Sequence, residues 1–191
     1  MKQPAITTVV LAGGLGTRIG GDKGLQLLHG KALIDWVLEV ISPQSDEVLV
    51  NANTNYDLYA ARGYRIIADQ LPNHAGPLAG LQAALLHAHH DWVASVPCDT
   101  PFLPHDLLAR LAAAAQGNAA VAAVAGQRQP AIALYHKRVL PKLNHYLNTG
   151  ERKVYGWLDS LQVNEAVFSD AAAFTNINSS QELLLAQQIV G

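Results

Sequence analysis

Residues 7–23 read TTVVLAGGLGTRIGGDK, and the fold follows from how that stretch is punctuated. The β-branched run from Thr7 to Leu11 suits a short buried strand, and the glycines after it end the strand and open a loop. From Lys31 to Ile41 the pattern turns helical, with Leu33, Ile34, Val37, Leu38 and Ile41 on one face. Strand, glycine-rich loop and helix open an α/β unit, whose ligands bind at the carboxyl edge of the strands. Glycines let backbone N–H groups approach an oxyanion without a side chain in the way, and Arg18 and Lys23 add charge to the same loop. Neither standard phosphate motif fits. No Gly-Lys here is followed by Ser or Thr, and Ile19 stands where a dinucleotide fingerprint needs glycine.

The same rhythm continues outward. Glu47 to Asn51 and Arg65 to Ala68 read as strands, and Gly80 to His87 as a helix feeding a strand from Trp92 to Val96. Beyond it come a helix from Asp106 to Ala115 and two strand-like runs, the alanine-rich Ala119 to Val124 and then Pro130 to Tyr135. Helical patterns from Val139 to Leu147 and from Arg152 to Leu161 flank the turn Asn148-Thr149-Gly150. A strand near Val163 to Phe168 and a helix from Ser180 to Ile189, capped by Ser180, complete the reading. The expected fold is α/β, three-layer and Rossmann-like, a mostly parallel sheet with helices on both faces.

With 191 residues, 50% hydrophobic and 15% charged, the chain suits one compact domain. Its formal charge of -2 gives no footprint for a nucleic-acid backbone or an anionic membrane, so neither is expected as a partner. No apolar run reaches the roughly 18 residues of a membrane span, and Met1 to Pro4 leads toward a strand without a cleavage pattern, so a cytoplasmic location is expected.

Pro97-Cys98-Asp99-Thr100-Pro101-Phe102-Leu103-Pro104 follows the strand ending at Val96, which puts Asp99 at the same edge as the glycine loop. A nucleoside triphosphate brings magnesium, which takes oxygen ligands and usually only one or two carboxylates beside the phosphates. Asp99 suits that role, and the plainer alternative is a turn aspartate bonding nearby backbone N–H groups. Cys98, the single cysteine, has no neighbouring His or Cys and reads as packing. His87, His89 and His90 lack an acidic third ligand and read as cations near a helix C-terminus rather than as zinc ligands.

Leu11-Ala12-Gly13-Gly14-Leu15-Gly16-Thr17-Arg18, followed by Gly20, Asp22 and Lys23, resembles the signature loop of nucleotidyltransferases that activate sugars and cofactors by transferring an NMP group. Further segments narrow the likeness. Val50 to Asn53, Ile67 to Asp69, Gly76 to Gly80 and Pro97 to Pro101 resemble the molybdenum cofactor guanylyltransferases, as do Gln129 to Leu134, Gly150 to Val154 and Phe174 to Asn178. The likeness spans nearly the whole chain in order. One departure is Gly16-Thr17, where this branch more often has a serine or another small residue.

The resemblance implies the nucleotide-diphospho-sugar transferase type of fold, as one domain over residues 1–191. About residues 1–100 would bind nucleotide and about 101–191 the acceptor. It places Leu11, Ala12, Gly13 and Gly14 against the nucleotide through their backbone, Lys23 on its phosphates, and Asn51 and Asp69 in the guanosine wall. Asp99 would hold nucleotide and magnesium, with Asn178 as a second magnesium neighbour and manganese as the alternative ion. Arg18, Lys23 and Asp99 would carry catalysis, while Arg128, Pro130, Arg152 and Lys153 would face the acceptor.

The implied reaction moves GMP from GTP to the terminal phosphate of molybdopterin and releases pyrophosphate. Transient contacts with other cofactor-biosynthesis and acceptor proteins are expected with it. The nearest alternative is a CTP-dependent cytidylyltransferase on the same or another phosphorylated acceptor. A dinucleotide-dependent oxidoreductase would want an acidic residue where Asn51 ends the second strand. A non-catalytic nucleotide sensor would bind GTP and magnesium without releasing pyrophosphate.

Overall fold

The computed structural model describes residues 3–14, 21–71 and 76–188. Strand β1 (Ile6–Leu11) leads to a 3-10 turn at Lys23–Leu25 and a short hairpin of β2 (Leu27–Leu28) and β3 (Lys31–Ala32). Next come α1 (Leu33–Ile41), β4 (Glu47–Asn51), α2 (Tyr56–Ala60), β5 (Arg65–Ile67), α3 (Pro77–His87) and β6 (Trp92–Pro97). The remainder is α4 (Leu107–Ala114), β7 (Ala119–Val124), β8 (Gln127–His136), α5 (Leu140–Asn148), α6 (Val154–Leu161), β9 (Asn164–Phe168) and α7 (Ser180–Gln187).

One seven-stranded sheet has the order β5-β4-β1-β6-β8-β7-β9. β8 runs antiparallel to β6 and β7, and the other neighbours are parallel, so the sheet is mostly parallel as expected. Side chains alternate between two apolar layers with the period of a strand. Ile6 and Val10 of β1, Ala94 and Val96 of β6, and Ile132 and Leu134 of β8 pack with α1 and α4. Val9, Val93, Ala133 and Tyr135 point the other way, into the layer formed with α3, α5 and α6. The alanine-rich β7 is buried at every position, because α4 covers one face and the α5–α6 layer the other. Small side chains suit a strand enclosed on both sides.

Several boundaries move for local reasons. Lys31 and Ala32 pair with Leu28 and Leu27, so the first helix begins at Leu33. The short α2, entered from Asn55 at φ 53°, carries too few residues to show a helical period. α6 begins at Val154, two residues after Arg152. The cap of α7 is Ser179 rather than Ser180, since its side chain accepts the Glu182 N–H. Ile189, the expected end of that helix, lies outside the described residues.

β8 begins at Gln127 and pairs with β7 through a register shift, where Val121 faces Ala133 and Ala122 faces Gln129. Pro130, which has no N–H to give a ladder, falls inside that bulge. β8 also runs antiparallel to β6, with Ser95 opposite Ala133 and the Ser95 hydroxyl on the Ala131 carbonyl at 3.0 Å. Its first residues therefore reach the carboxyl edge where β6 hands over to Cys98 and Asp99.

Candidate active site

Two loops on neighbouring strands are stitched together before any side chain takes part. The Ala12 N–H donates to the Asn51 carbonyl at 2.8 Å, and the Cys98 N–H to the Leu11 carbonyl at 3.2 Å. The start of the glycine loop is thereby fixed in height against β4 and β6. Arg18 lies outside the described residues, as do Leu15 to Gly20 as a whole.

On the β4 side, the buried Asn51 donates its amide to Asp69 Oδ1 at 2.9 Å and to the Ile67 carbonyl at 3.4 Å. Asn53 donates to Asp69 Oδ2 at 2.9 Å, and its own Oδ1 accepts the Asp69 N–H at 3.0 Å. Two glycines make room for this wall. A Cβ at Gly80 would stand 2.3 Å from Asn51 Oδ1, and one at Gly13 would stand 2.7 Å from Asn53 Nδ2.

On the β6 side, Asp22 anchors the turn that presents Lys23. Its carboxylate accepts the Gly24 N–H at 3.2 Å, the Asn55 amide at 3.0 Å and the Tyr59 hydroxyl. Burial, together with the nearby Cys98 and Asp22, pushes the Tyr59 phenol far up, so it remains a hydrogen-bond donor. Gly24 permits the contact, since a Cβ there would lie 2.6 Å from the Tyr59 hydroxyl. Lys23 Nζ then reaches Asn178 Oδ1 at 2.5 Å and Asp99 Oδ2 at 3.4 Å.

Asp99 is 6% exposed, and its Oδ1 has no hydrogen-bond partner among the described residues. Burial pushes its carboxyl above the ordinary range, against the pull of the Lys23 ammonium. The C-terminal segment is strapped to this turn. The Ile177 N–H donates to the Asp99 carbonyl at 2.8 Å, and the Thr100 hydroxyl to Asn176 Oδ1 at 2.7 Å. Ser179 and Glu182 form a capping box whose Glu182 carboxylate also accepts the Asn178 N–H at 2.7 Å. Those bonds hold the Glu182 carboxyl below its ordinary range.

Among the described residues no group of three or more His, Cys, Asp and Glu side chains could cage a metal. An unpartnered buried carboxylate oxygen with an amide oxygen sharing its ammonium instead suits a hard cation that takes its other ligands from phosphate. Cys98 is buried, and desolvation raises its thiol well above the usual value, so it packs. Two of the three histidines serve the opposite end of the sheet. His90 Nδ1 lies 3.0 Å from the Thr7 hydroxyl and His89 Nδ1 2.9 Å from Glu47.

The residues expected to face the acceptor form a separate group. Arg128 is paired with Glu165 at 2.7 Å and Asp159 at 2.9 Å, which raises its already high pKa. Arg152 donates to the Leu147 and Glu151 carbonyls, Lys153 is exposed at the start of α6, and Pro130 sits in the β8 bulge. No hydrogen bond or ion pair among the described residues joins this group to Lys23, Asp99 or Asn178. Sequence reasoning assigned no role to Asp22, Asn53, Asn176 or Glu182. Asn53 and Asn176 do lie inside the quoted segments Val50 to Asn53 and Phe174 to Asn178, and that was their signal.

A family model described as the MobA-like NTP transferase domain matches residues 8–164. The chain belongs to that family. It is thus a nucleotidyltransferase. The molybdenum cofactor guanylyltransferase of Vibrio campbellii is 43% identical over 188 residues, 96% of each chain. That of Cupriavidus taiwanensis is 41% identical over 187 residues, 93% of this chain and 94% of the other. The solved structure of molybdopterin-guanine dinucleotide biosynthesis protein A from Archaeoglobus fulgidus superposes with a TM-score of 0.78 at 27% identity, covering 96% of this chain and 98% of that one. The fold of this MobA-like chain is the nucleotide-diphospho-sugar transferase type, with β8 inserted antiparallel between β6 and β7 of the seven-stranded sheet.

Proposed function

We propose that this chain transfers GMP from GTP to the terminal phosphate of molybdopterin, releasing pyrophosphate and forming the guanine dinucleotide cofactor. The observation that carries the reading is the placement of two polar groups on either side of the β1 loop. Asn51 and Asp69 stand beyond β4 and β5, while Lys23, Asp99 and Asn178 interlock beyond β6. A nucleoside laid across Gly13 would have its base at the first group and its phosphates at the second. Relatives more than 40% identical are named guanylyltransferases, which favours GTP over the CTP alternative.

The acceptor phosphate oxygen would form the new bond to the α-phosphorus as the bond to the β-phosphate oxygen breaks, and pyrophosphate leaves with that electron pair. A phosphate monoester is already anionic near neutral pH, so no general base is required of the chain. Catalysis is then alignment and charge stabilisation. Lys23 would leave Asp99 for the triphosphate, joined by Arg18 and by the amides of Gly13 and Gly14. Leu11 and Ala12, whose carbonyl and N–H are engaged with neighbouring strands, would set the loop's height. Asp99 and Asn178 would hold magnesium, with manganese as the alternative, and the bound ion would neutralise phosphate oxygens. On the acceptor side Arg128, Pro130, Arg152 and Lys153 would line the approach, with Arg128 exchanging a carboxylate for the pterin phosphate. We assign residues 1–191 to one domain with a nucleotide half and an acceptor half, placed in the cytoplasm and in transient contact with proteins that deliver and receive the cofactor.

Calorimetric binding of GTP, CTP, ATP and UTP, with and without magnesium, tests the reading. Preference for GTP that needs magnesium and is lost in Asp99→Ala is the expected result. Preference for CTP would change the product, and no triphosphate binding would overturn the proposal.

A further inference from the structure

We infer that Asn53 is a positioning residue for base selection, acting through Asp69; this rests on the reading of Asp69 as part of the guanosine wall. The half-buried Asn53 ties two other chain segments to its own. Its Nδ2 donates to Asp69 Oδ2 at 2.9 Å and approaches the Gly13 carbonyl at 3.5 Å, while its Oδ1 accepts the Asp69 N–H at 3.0 Å. Only an amide presents a donor and an acceptor side by side in this way. A carboxylate at position 53 would set two anions against each other, and an alanine would leave both the Asp69 N–H and Oδ2 without this partner.

Asn51 holds the other oxygen of the same carboxylate at 2.9 Å. Asp69 is thus gripped at both oxygens and at its backbone, which fixes the plane of its carboxylate. A carboxylate has about four acceptor positions, two of which these amides fill, so each oxygen keeps one for an incoming ligand. Two parallel acceptors of fixed plane match adjacent N–H donors on one edge, which guanine offers through its ring N–H and exocyclic amine and which adenine does not. The same Asn53 amide faces Gly13, where a Cβ would stand 2.7 Å away, so the base-facing carboxylate and the floor of the nucleotide site share one clamp.

The test measures binding of GTP, ATP and inorganic tripolyphosphate, with magnesium, to the wild type, Asn53→Ala, Asn53→Ser, Asp69→Ala and the Asn53→Ala/Asp69→Ala double variant, with thermal unfolding of each. Asn53→Ala is expected to weaken GTP at least about tenfold, the scale of losing a hydrogen bond to a charged group, while tripolyphosphate is unchanged. The GTP-to-ATP ratio falls with it, and the double variant binds GTP no more weakly than Asp69→Ala alone. Asn53→Ser, the smaller change, gives the same ratio if the alanine variant does not fold. A GTP-to-ATP ratio unchanged in Asn53→Ala, or losses that add in the double variant, would overturn the inference while leaving guanylyl transfer standing. A wild type without GTP preference would overturn the guanosine wall itself, and this inference with it.

Discussion

Asp99 is nearly dry, whereas Lys23, 3.4 Å from it, keeps about a quarter of its side chain exposed. Asp99 is 6% exposed with one oxygen lacking a partner among the described residues, an arrangement that binds a cation well and stabilises the ligand-free chain poorly. Asp99→Asn is therefore expected to abolish turnover yet raise the stability of the ligand-free protein by about 1 kcal/mol, read as a higher unfolding midpoint in urea. A variant that loses both turnover and stability would mean that Asp99 is structural. Lys23→Ala should weaken GTP binding by about 2 kcal/mol, the scale of a charge-assisted hydrogen bond, as measured by calorimetry. At this scale the sequence pointed to the neighbourhood, because Asn51, Asp69 and Asp99 lie at or just past the ends of β4, β5 and β6, while Lys23 and Asn178 lie in quoted loop segments that the structure brings to Asp99. Asn53 was not legible as a clasp. Its partner lies 16 residues away on another strand end, and only the pairing of β4 with β5 brings the two together.

Helix α7 positions the proposed site residue Asn178 through its cap. The Ser179–Glu182 box holds the Asn178 N–H, so Ser179→Ala should cost about 1 kcal/mol of stability and also weaken magnesium-dependent GTP binding. Loss of stability with unchanged GTP affinity would separate the cap from the site. At the far end of the sheet, β4 begins with Glu47, which accepts the Thr7 hydroxyl at 2.7 Å and the His89 N–H at 2.8 Å. Burial raises its carboxyl, but those bonds and the flanking His89 and His90 outweigh it, and the net shift is downward. A depressed folded value means stability that is present above the ordinary glutamate range and lost as pH falls through the folded one. Glu47→Gln should therefore cost about 1 kcal/mol at neutral pH and progressively less under acid, as urea midpoints across pH would show.

Two readings changed because a segment pairs with another strand, which its own periodicity does not show. Lys31 and Ala32 continue a helical pattern but are captured by the β2 hairpin, and the β8 bulge depends on β7 opposite it.

At the scale of the molecule, buried β-branched runs separated by helical patterns made the three-layer architecture readable from residues 7–96. The second half was harder, since the alanine-rich β7 carries a weak strand signal and the reversed direction of β8 does not follow from local composition. Both layers extend along the sheet from β4 to β7, which favours one cooperative unit over two halves. A single unfolding transition is expected in calorimetry, and saturating GTP with magnesium at about 100 times its dissociation constant should stabilise the native state by about 2.7 kcal/mol. Two resolved transitions would argue for separately folding halves.

The most direct test of guanylyl transfer supplies the purified protein with molybdopterin, magnesium and either GTP or CTP, then follows the pterin product by mass spectrometry alongside pyrophosphate. The guanine dinucleotide with an equal amount of pyrophosphate, formed from GTP and absent with Asp99→Ala, is the predicted result. A cytosine dinucleotide formed in preference, or pyrophosphate without any dinucleotide, would contradict it.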